Sequence, residues 1–296
     1  MNILITGSQG YIGKALCEML CKKHKVIGLT SSTIKQNDNY KLIKVDLNDT
    51  NFINYIPKNI DIIFHLAQSP NYRIFPNGSE DLFNVNMTST FKLLEWSRIN
   101  GIKKFFFTSS ANVYSENNNK IKENDKIDPQ SFYAFSKHAS EQMIKYYSSY
   151  FKTFILRLFT IYGPEQKDKL IPNIINKINT FSEITLNGKT GISLTPLYID
   201  DLINIMNKLI EIDIEKKFHI LNVCGDEVVS LFDIIYFLEK ILNKKANVSF
   251  LKLRPSLIIG DNSKIKSIIS PIQTINIKKG LKNIIEKSDD FLKMGN

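Results

Sequence analysis

The sequence predicts an α/β protein, a doubly wound parallel sheet with a smaller, interwoven α/β region toward its C-terminal end. Three observations lead there. Short apolar runs alternate with amphipathic stretches through the first half of the chain. A glycine-rich turn separates the first apolar run from the first helical stretch. After Pro164 the regular alternation gives way to short mixed elements.

Taken in order, the apolar runs are Asn2–Thr6, Lys25–Leu29, Leu42–Val45, Ile62–Leu66 and Phe105–Thr108. They are nearly continuous in apolar residues, as strands covered on both faces must be. Between the first two, KALCEMLCKK places Ala15, Leu16, Met19 and Leu20 at helical spacing, with Cys17 and Cys21 expected on the inward face. DLFNVNMTSTFKLLEWSRING reads as one long helix ending at Gly101, and a second long helix is expected over Tyr133–Tyr150, followed by the strand TFILRLF. LTPLYIDDL reads as a strand leading back into a helix of the first domain. The expected division is a dinucleotide-binding domain over 1–164 plus a returning segment near 194–225. Residues 165–193 and 226–296 are then left for substrate.

Composition narrows the function classes. The chain has 296 residues, 43% of them hydrophobic, and a net charge of +10. It is therefore globular, with enough length for a substantial core. The lysines are scattered among Asn and Ile and form no arginine-rich stripe, so nucleic acid is not expected; a basic chain suits an anionic small substrate. No run of 18 apolar residues predicts a membrane span, and the MNILITG start reads as a strand and turn rather than a leader, which points to the cytoplasm. Three cysteines make neither a disulfide framework nor, with His24 nearby, a four-ligand metal site, so no metal is expected.

ITGSQGYIG places Gly7, Gly10 and Gly13, with Tyr11 and Ile12 between the last two, directly after a strand and at the mouth of a helix. A tight turn, a close backbone approach and free N–H groups at a helix N-terminus are what a pyrophosphate requires, so this is a dinucleotide site. The second strand then ends in Thr30, Ser31 and Ser32, with Lys35 close by, where an acid would suit the ribose hydroxyl of NAD. Hydroxyls and a cation suit a 2′-phosphate instead, so the strand end favours NADP(H) over NAD.

The G-x-x-G-x-x-G spacing preceded by Thr6 resembles the extended short-chain dehydrogenase/reductase family, the nucleotide-sugar-modifying NAD-dependent epimerases and dehydratases, and the resemblance runs over most of the chain. Asp46-Leu47 resembles the pair at the adenine end, FHLAQS the strand that brings Ala67 to the adenosine side, and NVNMTSTFKLLE the N-x-x-G-T helix carrying Asn86, with Ser89 replacing the glycine. TSSANVY followed by SFYAFSK resembles the Ser…Tyr-x-x-x-Lys triad, carried here by Ser110, Tyr133 and Lys137. Four residues apart in a helix, Tyr133 and Lys137 share a face, and the ammonium is expected to lower the phenol's pKa toward neutrality. The resemblance implies that Lys137 holds the nicotinamide ribose and Ser110 the reacting oxygen.

RLFTIYGPE and LRPSLIIGDNSK resemble two further family segments, which implies Asn112, Thr160 and Arg254 as substrate contacts along with Ser110. Thr160 stands where many members have asparagine, and GKTGISLT lacks the arginine that grips the diphosphate in many of them. The acid pair with which 4,6-dehydratases follow the catalytic Ser/Thr is Ala111-Asn112 here, and no cysteine neighbours Ser110 as in 3,5-epimerases. Hydride chemistry at a sugar carbon of a nucleotide-activated sugar remains. With NADP(H) the leading reading is a nucleotide-4-keto-sugar reductase. A 4-epimerase is the alternative, and a non-catalytic dinucleotide-sensing protein is the second. The family also implies a homodimer through helices around Asn86–Ile99 and Tyr133, where Phe91 and Tyr147 are either interface or core.

Overall fold

The computed structural model describes residues 1–34, 39–116 and 119–294. Its elements run β1 (Asn2–Thr6), α1 (Tyr11–Leu20), β2 (Lys25–Thr30), β3 (Lys41–Lys44), β4 (Ile62–His65), α2 (Ser79–Phe83), α3 (Ser89–Asn100), β5 (Lys104–Ser110), α4 (Phe132–Tyr147) and β6 (Lys152–Leu158). They continue as β7 (Ile161–Tyr162), α5 (Leu170–Asn179), β8 (Glu183–Asn187), β9 (Ser193–Leu194), β10 (Leu197–Tyr198), α6 (Ile199–Glu211), β11 (Phe218–Val223), β12 (Val229–Ser230), α7 (Leu231–Leu242), β13 (Asn247–Leu251), β14 (Leu257–Ile258), α8 (Ser263–Ile268) and α9 (Ile277–Met294).

A seven-stranded sheet has the order β11-β6-β5-β4-β1-β2-β3. The pairs β1–β2, β1–β4, β2–β3 and β4–β5 are parallel. The expected doubly wound sheet is present. The strand order reverses at β1, between β2 and β4, and the crevice at the carboxyl ends of such strands is where ligands bind. Strands β1, β4 and β5 are apolar on both faces because both are covered: Ile3, Leu4, Ile5, Ile63, Phe64, Phe105 and Phe106 are fully buried. Phe64, Phe106 and Phe154 stack across neighbouring strands with centroids 4.4 and 4.7 Å apart.

The chain divides into two compact units: residues 1–115, 123–157 and 206–221, and residues 116–122, 158–205 and 222–296. The first holds the sheet and α1 to α4. In it the Lys104 ammonium donates to the carbonyls of Leu209 and Ile210, 3.4 and 2.6 Å away, satisfying groups that a helix end leaves without partners. In the second unit β8 pairs with β13 in parallel, and β12, β9 and β14 form a small mixed sheet. Its core is aliphatic, including Ile171, Ile174, Leu186, Ile234, Leu238 and Leu281. Helix α7 starts on a capping box, with Ser230 and Asp233 each bonding the other's backbone N–H, and stops at Asn243 in the left-handed region.

Three local expectations need correction. The buried face of α1 is Gly13, Leu16, Cys17 and Leu20, while Cys21 lies past the helix end, half-exposed, its thiol directed to the Glu18 carbonyl. The helix expected up to Gly101 does end there, with Gly101 at φ 66°, but it is broken by a π-helical turn over Asn84–Thr88. The helix carrying Tyr133 ends at Tyr147, three residues early. Lys35 lies outside the described residues.

Candidate active site

The glycine loop is built around β1. Gly7 sits at φ +66°, and a Cβ there would meet the Ala67 Cα at 2.9 Å. A Cβ on Gly13 would lie 2.1 Å from the Gly7 carbonyl oxygen, so any side chain would force the first turn of α1 off the loop. Gly10 is the exposed N-cap of α1, and no side chain caps the helix. This ten-residue helix therefore presents its N-terminus through a loop without side chains at its tip, which fits a pyrophosphate. Tyr11 and Ile12 are half-buried in that first turn.

At the end of β2 Thr30 is buried, and its hydroxyl is already engaged. It donates to Gln9 Oε1 at 3.1 Å and accepts from the Ser32 N–H at 3.1 Å. The hydroxyl expected to meet a 2′-phosphate thus ties the strand end to the glycine loop, while Ser31 is exposed. Beyond β3, Asp46 is exposed and accepts from the Asn48 N–H, and Leu47 is part of the core.

A chain of buried polar groups joins this loop to the helix carrying Tyr133. The Ala67 N–H donates to Thr6 Oγ1, which lies 2.7 Å from His65 Nδ1; His65 Nε2 lies 2.9 Å from Thr90 Oγ1. Thr90 donates to the Asn86 carbonyl, so Nε2 carries the proton and Nδ1 accepts from Thr6. Burial holds the imidazole neutral, its pKa pulled down to about 3. Asn86, 1% exposed within the π-helical turn, accepts from the Ser69 N–H at 3.0 Å and donates to Ser136 Oγ at 2.9 Å. Ser136 in turn donates to the Tyr133 carbonyl at 2.8 Å.

Ser110 ends β5 and caps the short 3₁₀ turn Ala111–Val113, accepting the Asn112 N–H at 3.2 Å. Asn112 itself is exposed. Helix α4 is capped by Ser131 and directs Tyr133 back onto the strand end, where its hydroxyl is hydrogen-bonded to Ser110. The Tyr72 ring lies 5.2 Å from the Tyr133 ring. Lys137 is 2% exposed; its ammonium donates to the Thr108 carbonyl at 2.9 Å and lies 4.8 Å over the Phe107 ring.

Ser110, Tyr133 and Lys137 are therefore brought together, but their expected electrostatics are not found. Burial pushes Tyr133 up to about 12, against the pull of the Ser110 hydrogen bond. Burial also draws Lys137 down to about 7, opposed by the Glu141 carboxylate. Without a bound positive charge this site keeps a neutral phenol. Thr160 and Arg254 belong to the second unit, half-buried and exposed respectively.

The sequence reading missed Gln9, His65, Tyr72, Thr90, Ser136 and Glu141. Helical spacing was a usable signal for Glu141, which follows Tyr133 and Lys137 at a second i, i+4 step. Nothing local marked Tyr72.

Residues 3–224 match the model of the NAD dependent epimerase/dehydratase family. The chain belongs to that family. It is an enzyme of the extended short-chain dehydrogenase/reductase type. The protein from Bacillus subtilis named uncharacterized UDP-glucose epimerase YtcB is 30% identical, covering 96% of this chain and 97% of that protein. The UDP-glucuronate 4-epimerase of Thermodesulfobacterium geofontis is 27% identical, covering 98% and 97%. The crystal structure of UDP-glucuronic acid 4-epimerase from Bacillus cereus in complex with UDP-glucuronic acid and NAD superposes with a TM-score of 0.89 at 27% identity. That match spans 98% of this chain and all of the other. Among the described residues, no helix is long and apolar enough to cross a membrane.

Proposed function

We propose that this family member is an NAD-dependent 4-epimerase of UDP-sugars. The observation that carries the reading is a strand end where Ser110 meets Tyr133 of α4, with Lys137 one turn on and neither an acid nor a cysteine at the two positions after Ser110. Ala111 is buried and Asn112 exposed, so neither a dehydratase's acid nor a 3,5-epimerase's cysteine is at hand. The UDP-glucuronate 4-epimerase relative and the NAD-bound structural neighbour support it. The reductase that led on sequence alone rested on NADP(H), and that inference loses its main residue because the Thr30 hydroxyl is engaged with Gln9 and Ser32.

In this reading Gly7, Gly10, Tyr11, Ile12 and Gly13 receive the pyrophosphate, and Asp46, Leu47 and Ala67 flank the adenosine. Asn86 holds the catalytic helix in place, and Lys137 bonds the nicotinamide ribose. NAD held there would supply the hydride acceptor and donor for oxidation at the sugar's C4 and reduction of the ketone from its other face. Ser110 Oγ holds the reacting oxygen. The Tyr133 hydroxyl oxygen accepts the proton of the C4 hydroxyl as the ketone forms and gives it back when the alcohol is restored, leaving no net redox change. A phenol near 12 needs a neighbouring positive charge to ionise, which an oxidised nicotinamide would supply. Thr160 and Arg254, with residues 165–193 and 226–296 as a whole, serve the substrate, Arg254 at its phosphates. Exposed Phe91, Ile99 and Tyr146 on α3 and α4 suit a homodimer.

The test is incubation of the protein with NAD and UDP-glucose or UDP-glucuronate, with the epimers separated by chromatography and the nicotinamide absorbance followed. Conversion to the 4-epimer without net absorbance change is expected. Net NADPH consumption on a 4-keto-sugar would restore the reductase.

A further inference from the structure

Two residues of β5 engage two residues of α4 spaced one helical turn apart, and a third α4 residue on the same face, Glu141, follows one turn on. The Ser110 side chain bonds the Tyr133 hydroxyl, and the Thr108 carbonyl accepts from the Lys137 ammonium at 2.9 Å. Tyr133, Lys137 and Glu141 lie on one helix face at successive i, i+4 positions. The first two belong to the proposed chemistry. The third is a fully buried acid, 1% exposed, that the mechanism above does not use.

Glu141 is anchored as a charge. Arg157 of β6, 2% exposed, grips it with two parallel bonds, Nε to Oε1 at 2.9 Å and Nη2 to Oε2 at 2.7 Å. The same guanidinium donates to the Glu123 carbonyl at 3.2 Å and lies 4.7 Å over the Tyr114 ring, just past the 3₁₀ turn that Ser110 caps. Burial disfavours the carboxylate, but the bonds from Arg157 and His138 and the Arg157 charge outweigh it, so Glu141 stays ionised. The titratable groups around Lys137 are Tyr133 and Glu141 on its own helix and His65 on β4, which burial keeps neutral. Glu141 is thus the negative charge acting on an ammonium that the apolar surroundings otherwise disfavour.

We propose that Glu141 is a positioning residue of this active site: held by Arg157, its carboxylate is the counter-charge that keeps Lys137 an ammonium when the cofactor binds. The assignment rests on the reading of Lys137 as the ribose-binding lysine. It explains why a buried ion pair sits one turn beyond the reactive groups, where a hydrophobic pair would fill the same space at less desolvation cost.

The experiment is the pH dependence of NADH affinity, read by nicotinamide fluorescence, for the parent, Lys137→Met, Glu141→Gln, Glu141→Asp and the double variant Glu141→Gln/Arg157→Met. The double variant removes both buried charges and guards against misfolding of the single one. The parent is expected to lose affinity as pH rises through about 7. In Lys137→Met that break disappears. In Glu141→Gln and in the double variant it moves down by about one pH unit, with affinity below the break nearly unchanged, while Glu141→Asp restores it toward the parent. A uniform, pH-independent loss in the Gln variants, or failure of both to fold, would reduce Glu141 to structural support and overturn the proposal. A break that persists in Lys137→Met, or none in the parent, would overturn the underlying assignment of Lys137 instead. Because NADH binding is the readout, the result does not depend on which sugar is epimerised.

Discussion

The two compact units bury different chemistry around the residues that matter. In the first, Lys137, Glu141, Arg157, His65 and Asn86 are each at most 2% exposed and are bonded to one another's neighbours. In the second, the buried interior is mainly aliphatic, and Arg254 is exposed. A site fixed by buried polar bonds is rigid and intolerant, because removing one partner strands another away from water. An exposed recognition residue is cheap to change and can be altered to suit a new ligand without disturbing the fold. On the proposed reading, the first region keeps the reaction geometry and the second serves substrate choice.

The sharpest way to break this contrast is Tyr133→Phe. It should lower turnover of the UDP-sugar by about a hundredfold to ten-thousandfold while leaving the melting temperature near that of the parent, measured by product chromatography and thermal unfolding. Unchanged turnover would remove the catalytic reading of the first unit.

Arg157→Met should destabilise the protein by about 3–5 kcal/mol in urea unfolding, because it leaves the Glu141 carboxylate buried without its partner. Adding Glu141→Gln to it should recover much of that loss.

A pH series tests the buried imidazole. His65 is held at about 3, below the ordinary 6.5, so the unfolded chain binds a proton there that the folded one refuses. The stability from keeping it neutral is complete above pH 6.5 and is lost progressively as pH falls toward 3. Between pH 7 and pH 5 this amounts to about 2 kcal/mol. His65→Gln should flatten that slope in urea midpoints.

At the small end, Arg254→Ala should change stability by less than about 0.5 kcal/mol while raising the KM for the nucleotide sugar and sparing kcat. A large stability loss there would erase the difference between the two regions.

The sheet was legible in the sequence because its strands are continuous apolar runs between helical patterns, and Gly7, Gly10 and Gly13 mark the loop by a backbone requirement that few other residues meet. Ser110, Tyr133 and Lys137 were legible by type and spacing, and the structure brings them together. The charge states were not. Spacing says that an ammonium lies near a phenol, but the medium between them sets both pKa values, and burial moved Tyr133 opposite to expectation and drew Lys137 down. Thr30 shows the same limit: a hydroxyl at a strand end reads as a ligand donor until Gln9 is found accepting its proton.

The sequence by itself determined the secondary-structure rhythm, the glycine loop and the choice of Ser110, Tyr133 and Lys137 as candidate reactive side chains, since each depends on local sterics and on periodicity along the chain. Only the tertiary structure decided that His65 is neutral, that Thr30 faces inward and that Glu141 stands against Arg157. Those facts depend on which distant groups share a water-excluded space, where a charge is stable only with a partner at hand.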